Sequence, residues 1–294
     1  MRLLFIVNRR SGRPGSRGSI EATIESFCRT RGLDFRIIPA TGVAALDHDI
    51  PEAINNGFDV ICAVGGDGTV SEIGRRLIGT PAALGIIPTG SGNGLARHLG
   101  IPLTPEGALQ TIAGGTRHRI DTGSVNGLSF LVTCGFGLDA VIAHRFATSA
   151  RGLVSYLKLG AGAWFTRRLQ RFRADVDGSR LEISALLATV ANANQYGSDA
   201  RVAPRASVRD GKLDLVFVGD PALHAIPALL FRLFRGTFDE SPLVKVTQGK
   251  MIRIERESAG PAHIDGEPVD LPATLEIEVR LASLEVVAPA GRAI

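Results

Sequence analysis

The feature that most constrains the fold is a run of apolar residues that ends abruptly in glycine. Residues 61–64 are apolar, and the segment GGDGT, residues 65–69, follows directly. Because a periodic segment comes next, the pattern predicts a strand, a tight turn and a helix. Glycines in such a turn permit positive φ, and the helix N-terminus attracts anions. These five residues are compatible with two interpretations, an anion-binding site and an ordinary strand-to-helix connection.

The first 122 residues alternate between strand-like and helix-like segments. Short apolar runs are separated by stretches of helical periodicity, including one near residues 19–30. This alternation predicts a parallel sheet covered by helices, in which ligands lie beyond the carboxyl ends of the strands. Three loops at those ends, 8–18, 65–69 and 88–97, are rich in glycine and hydroxyl residues. The predicted strands are Leu3–Val7, Phe35–Ile38, Val60–Val64 and Leu84–Ile87.

After Asp121 the pattern changes to short alternating strands separated by turn dipeptides. Residues 125–134 predict a hairpin around Asn126-Gly127, a strong turn signal. Asp-Gly pairs at 177, 210 and 265 mark further turns. This half therefore predicts a mainly antiparallel β domain of sandwich or barrel type. Its predicted strands are Arg171–Val176, Leu181–Val190, Leu213–Val218, Met251–Glu255 and Leu275–Val279.

The expected fold class is an α/β N-terminal domain with a parallel sheet, followed by a mainly antiparallel, sandwich-like β domain. We place the domains at residues 1–122 and 123–283, with the last strand, near 284–294, returning to the first domain. The expected active site lies in the cleft between the two domains.

Composition and charge exclude few functions. The 294 residues carry a formal net charge of +4, which suits a phosphate-bearing ligand, an anionic membrane or a nucleic acid. The three cysteines form no CxxC pair, so we expect neither a zinc site nor a disulfide framework, and a cytoplasmic location is predicted. No apolar run approaches the ~18 residues of a membrane span. The basic residues are scattered without a nucleic-acid-binding motif, so no nucleic-acid partner is expected.

The glycine-rich loops lack the standard nucleotide motifs, since no GxxxxGK[ST] occurs. The chain does contain, in order, GGDGT, GSGN at 90–93, DGKLDL at 210–215 and HIDGEP at 263–268. This series resembles the diacylglycerol kinase catalytic family, which includes bacterial lipid kinases and the sphingosine and ceramide kinases. The resemblance implies an ATP-dependent lipid kinase that transfers the γ-phosphate to a diacylglycerol or a sphingosine-like base, with Mg²⁺ as the second cofactor.

The resemblance also implies which residues bind ATP. They belong to the loop after the first strand, a threonine after the second strand, GGDGT with the start of its helix, and the GSGN loop. The implied nucleotide-binding residues are Asn8, Ser11, Gly12, Thr41, Gly65, Gly66, Asp67, Gly68, Thr69, Val70, Ser71, Glu72, Gly90, Ser91 and Asn93.

In the second half the resemblance implies a metal site and a catalytic base. Asp210 would hold a structural Mg²⁺, assisted by the backbone carbonyls of Ser207 and Lys212. Asp265, with Glu267 two residues on, matches the general base of the bacterial members. In the sphingosine kinase branch the base is the aspartate of GGDGT, here Asp67, and the sequence leaves both assignments open. Asp139 would contact the polar end of the lipid, or act as an ordinary helix N-terminal carboxylate.

Departures from the family pattern keep alternatives open. The family's proline, aspartate and glycine are replaced by Arg9, Gly94 and Ser198. An NAD kinase of the same superfamily, and a non-catalytic nucleotide- or lipid-binding regulator, are the two alternatives, and a homodimer is an option. Residues 164–173 and 222–238 mix apolar and basic side chains, which favours peripheral contact with a membrane surface over an ordinary core helix.

Overall fold

The computed structural model describes residues 1–9, 17–137 and 169–291. Ser11, Gly12, Asp139 and the segment 164–168, all singled out above, lie outside the described residues. The chain forms two compact units. One comprises Met1–Ile120 and Ala282–Ile294, and the other comprises Asp121–Leu281.

The first unit has an α/β architecture built on a parallel sheet, as predicted. Strands β1 (Arg2–Val7), β2 (Asp34–Pro39), β3 (Val60–Gly65) and β4 (Ala83–Pro88) alternate with helices, and all their pairings are parallel. The sheet order in this unit is β2-β1-β3-β4-β16, where β16 is Thr274–Ala288. The helices are α1 (Arg17–Thr30), α2 (Val43–Asn55), α3 (Asp67–Leu77), α4 (Gly94–His98) and α5 (Pro105–Gly114).

The central strands explain why the sheet forms where it does. Every residue of β3 and β4 is buried, which is typical of a parallel strand covered on both faces by helices. Their uninterrupted apolar runs therefore specify the middle of the sheet. Helix α5 begins with a local signal, because the Thr104 side chain accepts a hydrogen bond from the Gly107 N–H and Pro105 occupies the first turn.

The second unit is a mainly antiparallel β sandwich, which confirms the predicted fold class. One sheet has the order β12-β11-β10-β7-β14-β15, and the opposing strands run β16-β13-β8-β9. Side chains from both sheets share one core, where Phe172 and Phe217 lie 5.7 Å apart between ring centroids. The bounds are β5 (Thr116–Val125), β6 (Leu128–Phe130), β7 (Thr133–Gly137), β8 (Gln170–Val176), β9 (Ser179–Ala185), β10 (Leu187–Ala191), β11 (Leu213–Val218), β12 (Val244–Gly249), β13 (Met251–Arg256), β14 (Gly260–Ile264) and β15 (Glu267–Leu271). Helix α6 spans Ile226–Arg235.

The prediction of one strand over Leu181–Val190 is wrong. The segment forms two strands, β9 and β10, that belong to different sheets. The break falls at Leu186, whose N–H donates to the Val218 carbonyl of β11 instead of continuing the pairing of β9 with β8. Alternating hydrophobicity fits both strands, so the sequence pattern does not reveal where the chain changes sheets.

Strand β16 is longer than predicted and serves both units. Its first half pairs antiparallel with β13 in the second unit, from Thr274 to Glu278. Its second half reaches the first unit, where Val286 pairs in parallel with Leu84 of β4. The predicted strand Leu275–Val279 and the predicted last strand near 284–294 are thus parts of one continuous strand, Thr274–Ala288.

The three cysteines are buried and reduced, at Cys28, Cys62 and Cys134. Burial raises the pKa of the Cys28 thiol to about 11, and it raises the pKa of Cys62 as well. The thiols therefore behave as small core side chains.

Arg256 is buried without a carboxylate partner among the described residues, and backbone carbonyls take that role. Its guanidinium donates to the carbonyls of Pro272 and Pro261, each at 3.1 Å, to Gly260 at 2.8 Å, and to Leu271. Its charged group also lies 5.8 Å from the centroid of the Phe136 ring. Burial lowers the pKa of this guanidinium from its ordinary value. The fork of donors joins the ends of β13, β14 and β15.

Replacing the Arg256 guanidinium by the ammonium group of a lysine should destabilise the protein. We expect Arg256→Lys to lower the free energy of unfolding by about 2–4 kcal/mol, because several buried carbonyls lose a charged donor. Arg253→Lys is the matched control on the same strand, since Arg253 is exposed and paired with Glu255 and Glu276. Urea unfolding should show a change of under about 0.5 kcal/mol in the control. Equal changes in both variants would contradict the prediction.

Candidate active site

Three loops of the first unit meet at the carboxyl ends of its strands, as predicted. The Asn8 side chain, after β1, donates to the Thr69 hydroxyl at 2.7 Å, and the Asn8 N–H donates to the Val64 carbonyl at 2.9 Å. The Thr89 N–H, after β4, donates to the Gly65 carbonyl at 2.9 Å. Strand ends in adjacent register therefore place the three loops side by side.

Two of these loops touch through glycine backbones. A methyl group built on Gly90 would lie 2.6 Å from the Gly66 Cα, and one built on Gly65 would lie 2.5 Å from the Thr69 side chain. Real Cβ atoms are not found so close to other atoms, so both positions require glycine. The requirement for glycine here is one of close packing between loops, since neither residue has a positive φ.

The Asp67 carboxylate joins the GGDGT turn to the GSGN loop. Its Oδ1 accepts the Gly94 N–H at 2.6 Å, and its Oδ2 accepts the Asn93 N–H at 2.8 Å. Both donors lie at the start of helix α4, so this carboxylate caps a helix from a distant loop and complements its dipole. Charge-assisted bonds of this kind fix the relative position of the two loops.

Asn93 completes the GSGN loop from within. It is buried, its φ is +54°, and its amide spans the loop by donating to the Gly90 carbonyl at 2.8 Å and accepting the Gly90 N–H at 3.1 Å. Arg97 adds a bond from its Nε to the Gly92 carbonyl at 3.0 Å. Asparagine adopts the left-handed region more readily than most residues, which explains its use here.

The remaining predicted nucleotide residues occupy three kinds of position. Val70 and Ser71 are buried in the first turns of α3 and pack inward. Glu72 pairs with Arg75 and, at 2.6 Å, with Arg76. The exposed positions are Thr41, just before α2, and Ser91, at the tip of the GSGN loop.

The loops of the first unit fit a phosphate group. Gly66 is the N-cap of α3 and provides no side-chain acceptor for the N–H groups of the first turn. Such N–H groups, at the positive end of a helix and beside glycines without side chains, are suited to phosphate oxygens. Gly68 lies in this first turn, between Asp67 and Thr69.

In the second unit, Asp265 is held by three consecutive backbone N–H groups. Its Oδ1 accepts from Leu131, Val132 and Thr133, at 3.2, 2.8 and 3.2 Å, and its Oδ2 accepts from Leu131 at 3.0 Å. The Asp265 N–H donates in return to the Thr133 carbonyl at 2.8 Å. The carboxylate is therefore fixed against the start of β7, more than 130 residues away in the sequence.

The backbone at Asp265 is unusual as well. The residue has a φ of +52° in the Asp-Gly turn between β14 and β15, and it is half-buried. A non-glycine residue in the left-handed region carries a small conformational cost, which the N–H bonds to its side chain offset. Glu267 begins β15, paired with Ile264 across the turn.

Asp210 lies in a separate turn, which is stabilised by a hydrogen bond within the turn and by another to a distant residue. Its Oδ1 accepts the Lys212 N–H at 3.0 Å, while the Gly211 N–H donates to the buried Asp121 carboxylate at 2.8 Å. The Ser207 hydroxyl accepts the Arg209 N–H at 3.3 Å in the same turn. The turn follows a long connection from β10 and precedes β11, so it is not the two-strand hairpin that its Asp-Gly pair suggests.

A nearby acid titrates unusually. Burial raises the pKa of Asp214 to about 6, and the negative charges of Asp210 and Asp239 add to this, while a hydrogen bond from the Gln248 side chain opposes it.

The carboxylate and the backbone carbonyls of the 207–212 turn are the hard oxygen donors that Mg²⁺ prefers, so the chemistry of the donor set fits that ion.

Both halves of the chain match domains of known proteins. The model of the diacylglycerol kinase catalytic domain matches residues 2–125, and that of the YegS C-terminal NAD kinase beta sandwich-like domain matches residues 132–288. The chain belongs to the diacylglycerol kinase catalytic family. It is an enzyme of the lipid kinase class.

Individual relatives of this family match over almost the whole chain. A diacylglycerol kinase of Mycobacterium tuberculosis (strain CDC 1551) is 28% identical over 94% of this chain and 92% of its own length. A protein of Pseudomonas aeruginosa (strain UCBPP-PA14) named "Probable lipid kinase YegS-like" is 30% identical over 98% of this chain and 94% of its own length. In fold, the chain is similar to the crystal structure of a diacylglycerol kinase from Bacillus anthracis, with a TM-score of 0.77, 22% identity, and coverage of 98% of this chain and 97% of that one.

Three further residues, which the sequence motifs did not assign to a site, hold these loops and turns in place. Arg97 and Asp121 bond to the loops described above, and Asn192 bonds to the segment that holds Asp265. Asn192 directly follows strand β10, outside the motifs quoted above. The bonds themselves join residues far apart in the chain, so spacing alone does not predict them.

The bridging role of Asp67 gives a test that needs no substrate. In Asp67→Asn the amide replaces one acceptor by a donor facing a backbone N–H, so the bonds to Asn93 and Gly94 weaken. We expect amide hydrogen exchange at residues 93–94 to become at least about tenfold faster, since about 1.4 kcal/mol of lost protection corresponds to that factor. Asp47→Asn, at an exposed ion pair with Arg76 in the same unit, is the control. Unchanged exchange in Asp67→Asn would remove the carboxylate from loop ordering.

Proposed function

We propose that this enzyme transfers the γ-phosphate of ATP to the hydroxyl group of a lipid, a diacylglycerol or a sphingosine-like base. The observation that carries the proposal is the Asp265 carboxylate, fixed by three backbone N–H groups in a half-buried turn. Family membership and the names of the relatives support the lipid as acceptor. The glycine loops and the uncapped start of α3 support a nucleotide as donor.

The transfer needs a base for the proton of the hydroxyl group and a site that binds the phosphate groups of ATP. The hydroxyl oxygen of the lipid forms a bond to the γ-phosphorus, the bond from that phosphorus to the β,γ-bridging oxygen breaks, and ADP leaves. The proton of the hydroxyl goes to the Asp265 carboxylate and from there to water. Phosphoryl transfer depends mainly on positioning and charge neutralisation. Mg²⁺ and ATP, when bound, supply the phosphoryl group and part of that neutralisation.

We assign different tasks to the two candidate bases. Both oxygens of Asp67 accept N–H groups of the GSGN loop, and Gly92 packs closely against its Oδ2. Asp67 therefore positions the loops around the nucleotide. Asp265 is held in the turn between β14 and β15 by N–H groups of residues 131–133, and its motif matches that of the general base in the bacterial members, so we assign it the task of accepting the proton.

A Mg²⁺ ion in the second unit would have a structural task. Asp210 would hold it with the backbone carbonyls of Ser207 and Lys212, and the ion would keep the 207–212 turn in shape. Asp210 lies in a turn already bonded to Asp121, so the ion would add to an existing support.

The proposal is tested first by turnover. Purified protein with labelled ATP and a panel of lipids in mixed micelles should yield phosphorylated lipid and ADP in equal amounts. Diacylglycerols, monoacylglycerols, sphingosine-like bases and phosphatidylglycerol belong in the panel, with NAD as a further acceptor. Phosphorylation of NAD in preference to every lipid would overturn the assignment.

The role of Asp265 predicts a specific loss. We expect Asp265→Asn to lower kcat by about 10²–10⁴-fold with little change in the KM for ATP, since a base is removed while the nucleotide loops stay intact. Asp177→Asn is a close control, because Asp177 also lies in an Asp-Gly turn at positive φ and its carboxylate accepts the N–H groups of Lys250 and Met251. These bonds lower the pKa of Asp177. A kcat that falls equally in both variants would mean that Asp265 only supports its turn.

A lipid kinase has to meet a membrane, and helix α6 with the residues before it offers a suitable surface. No helix within the described ranges is long enough and apolar enough to cross a bilayer. Leu223 and Phe231 are 70% and 67% exposed, whereas Leu229 and Leu233 on the same segment pack against the core. The helix is therefore anchored by Leu229 and Leu233 and exposes the Phe231 side chain, while Leu223 is exposed in the residues before the helix.

Charge favours an anionic bilayer as the occupant of this surface. Residues 222–235 contain no acid and carry Arg232 and Arg235. Within the described residues, Arg235 and the neighbouring Arg201 have no ion-pair partner, while Arg232 is paired loosely with Glu240 at 3.5 Å. Apolar side chains beside arginines are typical of interfacial segments on anionic lipids. The other candidate segment differs, since Phe172 is in the core and Arg171 and Arg173 lie near Glu182.

A charge in this surface should abolish membrane contact. We expect Phe231→Glu to weaken sedimentation with phosphatidylcholine–phosphatidylglycerol vesicles at least about tenfold, because a buried Phe contributes about 1.5–3 kcal/mol. Val43→Glu, at another exposed apolar side chain in the first unit, should bind like the wild type. Activity on a short-chain, water-soluble acceptor should survive in both variants. Equal vesicle binding by both variants, or a dimer that Phe231→Glu converts to a monomer, would rule out the bilayer as occupant.

A further inference from the structure

Asn192 is a fully buried polar residue that follows directly on strand β10. Burying an amide is costly unless it is hydrogen-bonded, so its contacts indicate its role. Its Nδ2 group donates to the Leu131 carbonyl at 2.8 Å and to the Asp121 carbonyl at 2.9 Å. Both donors of the amide are thus used on backbone carbonyls of two other segments.

The first of these segments is the one that holds Asp265. Residues 131–133 direct their three N–H groups at the Asp265 carboxylate. Two of their carbonyls are held by residues 192 and 193, since Asn192 Nδ2 donates to that of Leu131 and the backbone N–H groups of Asn192 and Ala193 donate to that of Val132 at 2.9 and 3.1 Å. The position of the carboxylate therefore depends on a segment that Asn192 fixes.

The second segment leads to the Asp210 turn. Asp121, whose carbonyl accepts the other Asn192 hydrogen, bonds through its own N–H to the Val208 carbonyl at 2.6 Å and through its carboxylate to the Gly211 N–H. One amide thus connects the two carboxylate-bearing turns of this unit, at Asp210 and at Asp265.

We infer that Asn192 is a positioning residue for phosphoryl transfer, which acts by holding residues 131–133 and through them the Asp265 carboxylate. The inference rests on the proposed role of Asp265. Asn192 itself touches neither lipid nor nucleotide in this assignment.

The amide of Asn192 meets both requirements at this position. Two carbonyls at 2.8 and 2.9 Å need two N–H donors on one planar group, and a carboxylate there would repel both. The Asn192 Oδ1 is buried without a hydrogen-bond partner among the described residues. The two hydrogen bonds of the Nδ2 group offset the free energy that the unpaired, buried oxygen costs.

The first test needs no activity. In Asn192→Ala the Leu131 carbonyl loses its donor, so the 131–133 segment should loosen. Amide hydrogen exchange at residues 131–133 should accelerate at least about tenfold relative to the wild type. Thr189→Val is the matched control, because Thr189 is equally buried on β10, three residues before Asn192, and its hydroxyl bonds to the Tyr196 hydroxyl at 2.8 Å.

The second test measures whether Asn192 acts through Asp265. We expect Asn192→Ala to lower kcat by about 10–100-fold, at an unchanged KM for ATP, as for a catalytic group displaced by about 1 Å. Combined with Asp265→Asn it should cause no further loss, because the carboxylate it positions is already absent. Thr189→Val should retain the kcat of the wild type.

The outcomes separate this inference from the proposed function. A wild-type protein without turnover on any acceptor would reject the proposed function, and hydrogen exchange would then decide alone whether Asn192 holds residues 131–133. Unchanged exchange at those residues in Asn192→Ala overturns the inference. So does an Asn192→Ala loss that multiplies with that of Asp265→Asn, or an Asp265→Asn variant with the kcat of the wild type.

Discussion

The site depends on one recurring interaction, the binding of backbone N–H groups by aspartate carboxylates. A loop that leaves a sheet exposes N–H groups that no neighbouring strand can pair, and burial makes such groups costly. Asp67 and Asp265 bind two and three of them, and Asp121 and Asp177 bind others. Since each bond is charge-assisted, these carboxylates hold the loops that carry the candidate residues in place.

The same interaction explains why a structural aspartate and the proposed base look alike in this chain. A carboxylate that organises a turn is already negative and oriented, which is also what a base requires. Asp177 and Asp265 share the Asp-Gly turn and the positive φ, yet Asp177 is exposed while Asp265 is half-buried against β7. The two residues differ in their surroundings, not in the geometry of their turns.

The sequence predicted the strands and turns whose signal lies within a few neighbouring residues. The buried runs of β3 and β4 and the turns at 126–127, 177–178 and 265–266 appear where the pattern placed them. It failed at Leu186, because alternation continues unchanged while the chain moves to another sheet. The partners of Asp67, Asp265 and Asn192 were also beyond prediction, since each bond joins segments 26 to 134 residues apart.

Strand β16 has a consequence for the order in which the chain can fold. During synthesis from the N-terminus, β1 to β4 emerge early, but the strand that covers the edge of β4 belongs to residues near 286. Until those residues leave the ribosome, β4 has an unpaired, fully apolar edge, which is an aggregation hazard. The first unit to be synthesised is therefore among the last to be completed, and a nascent or truncated chain has greatest need of a chaperone at that edge.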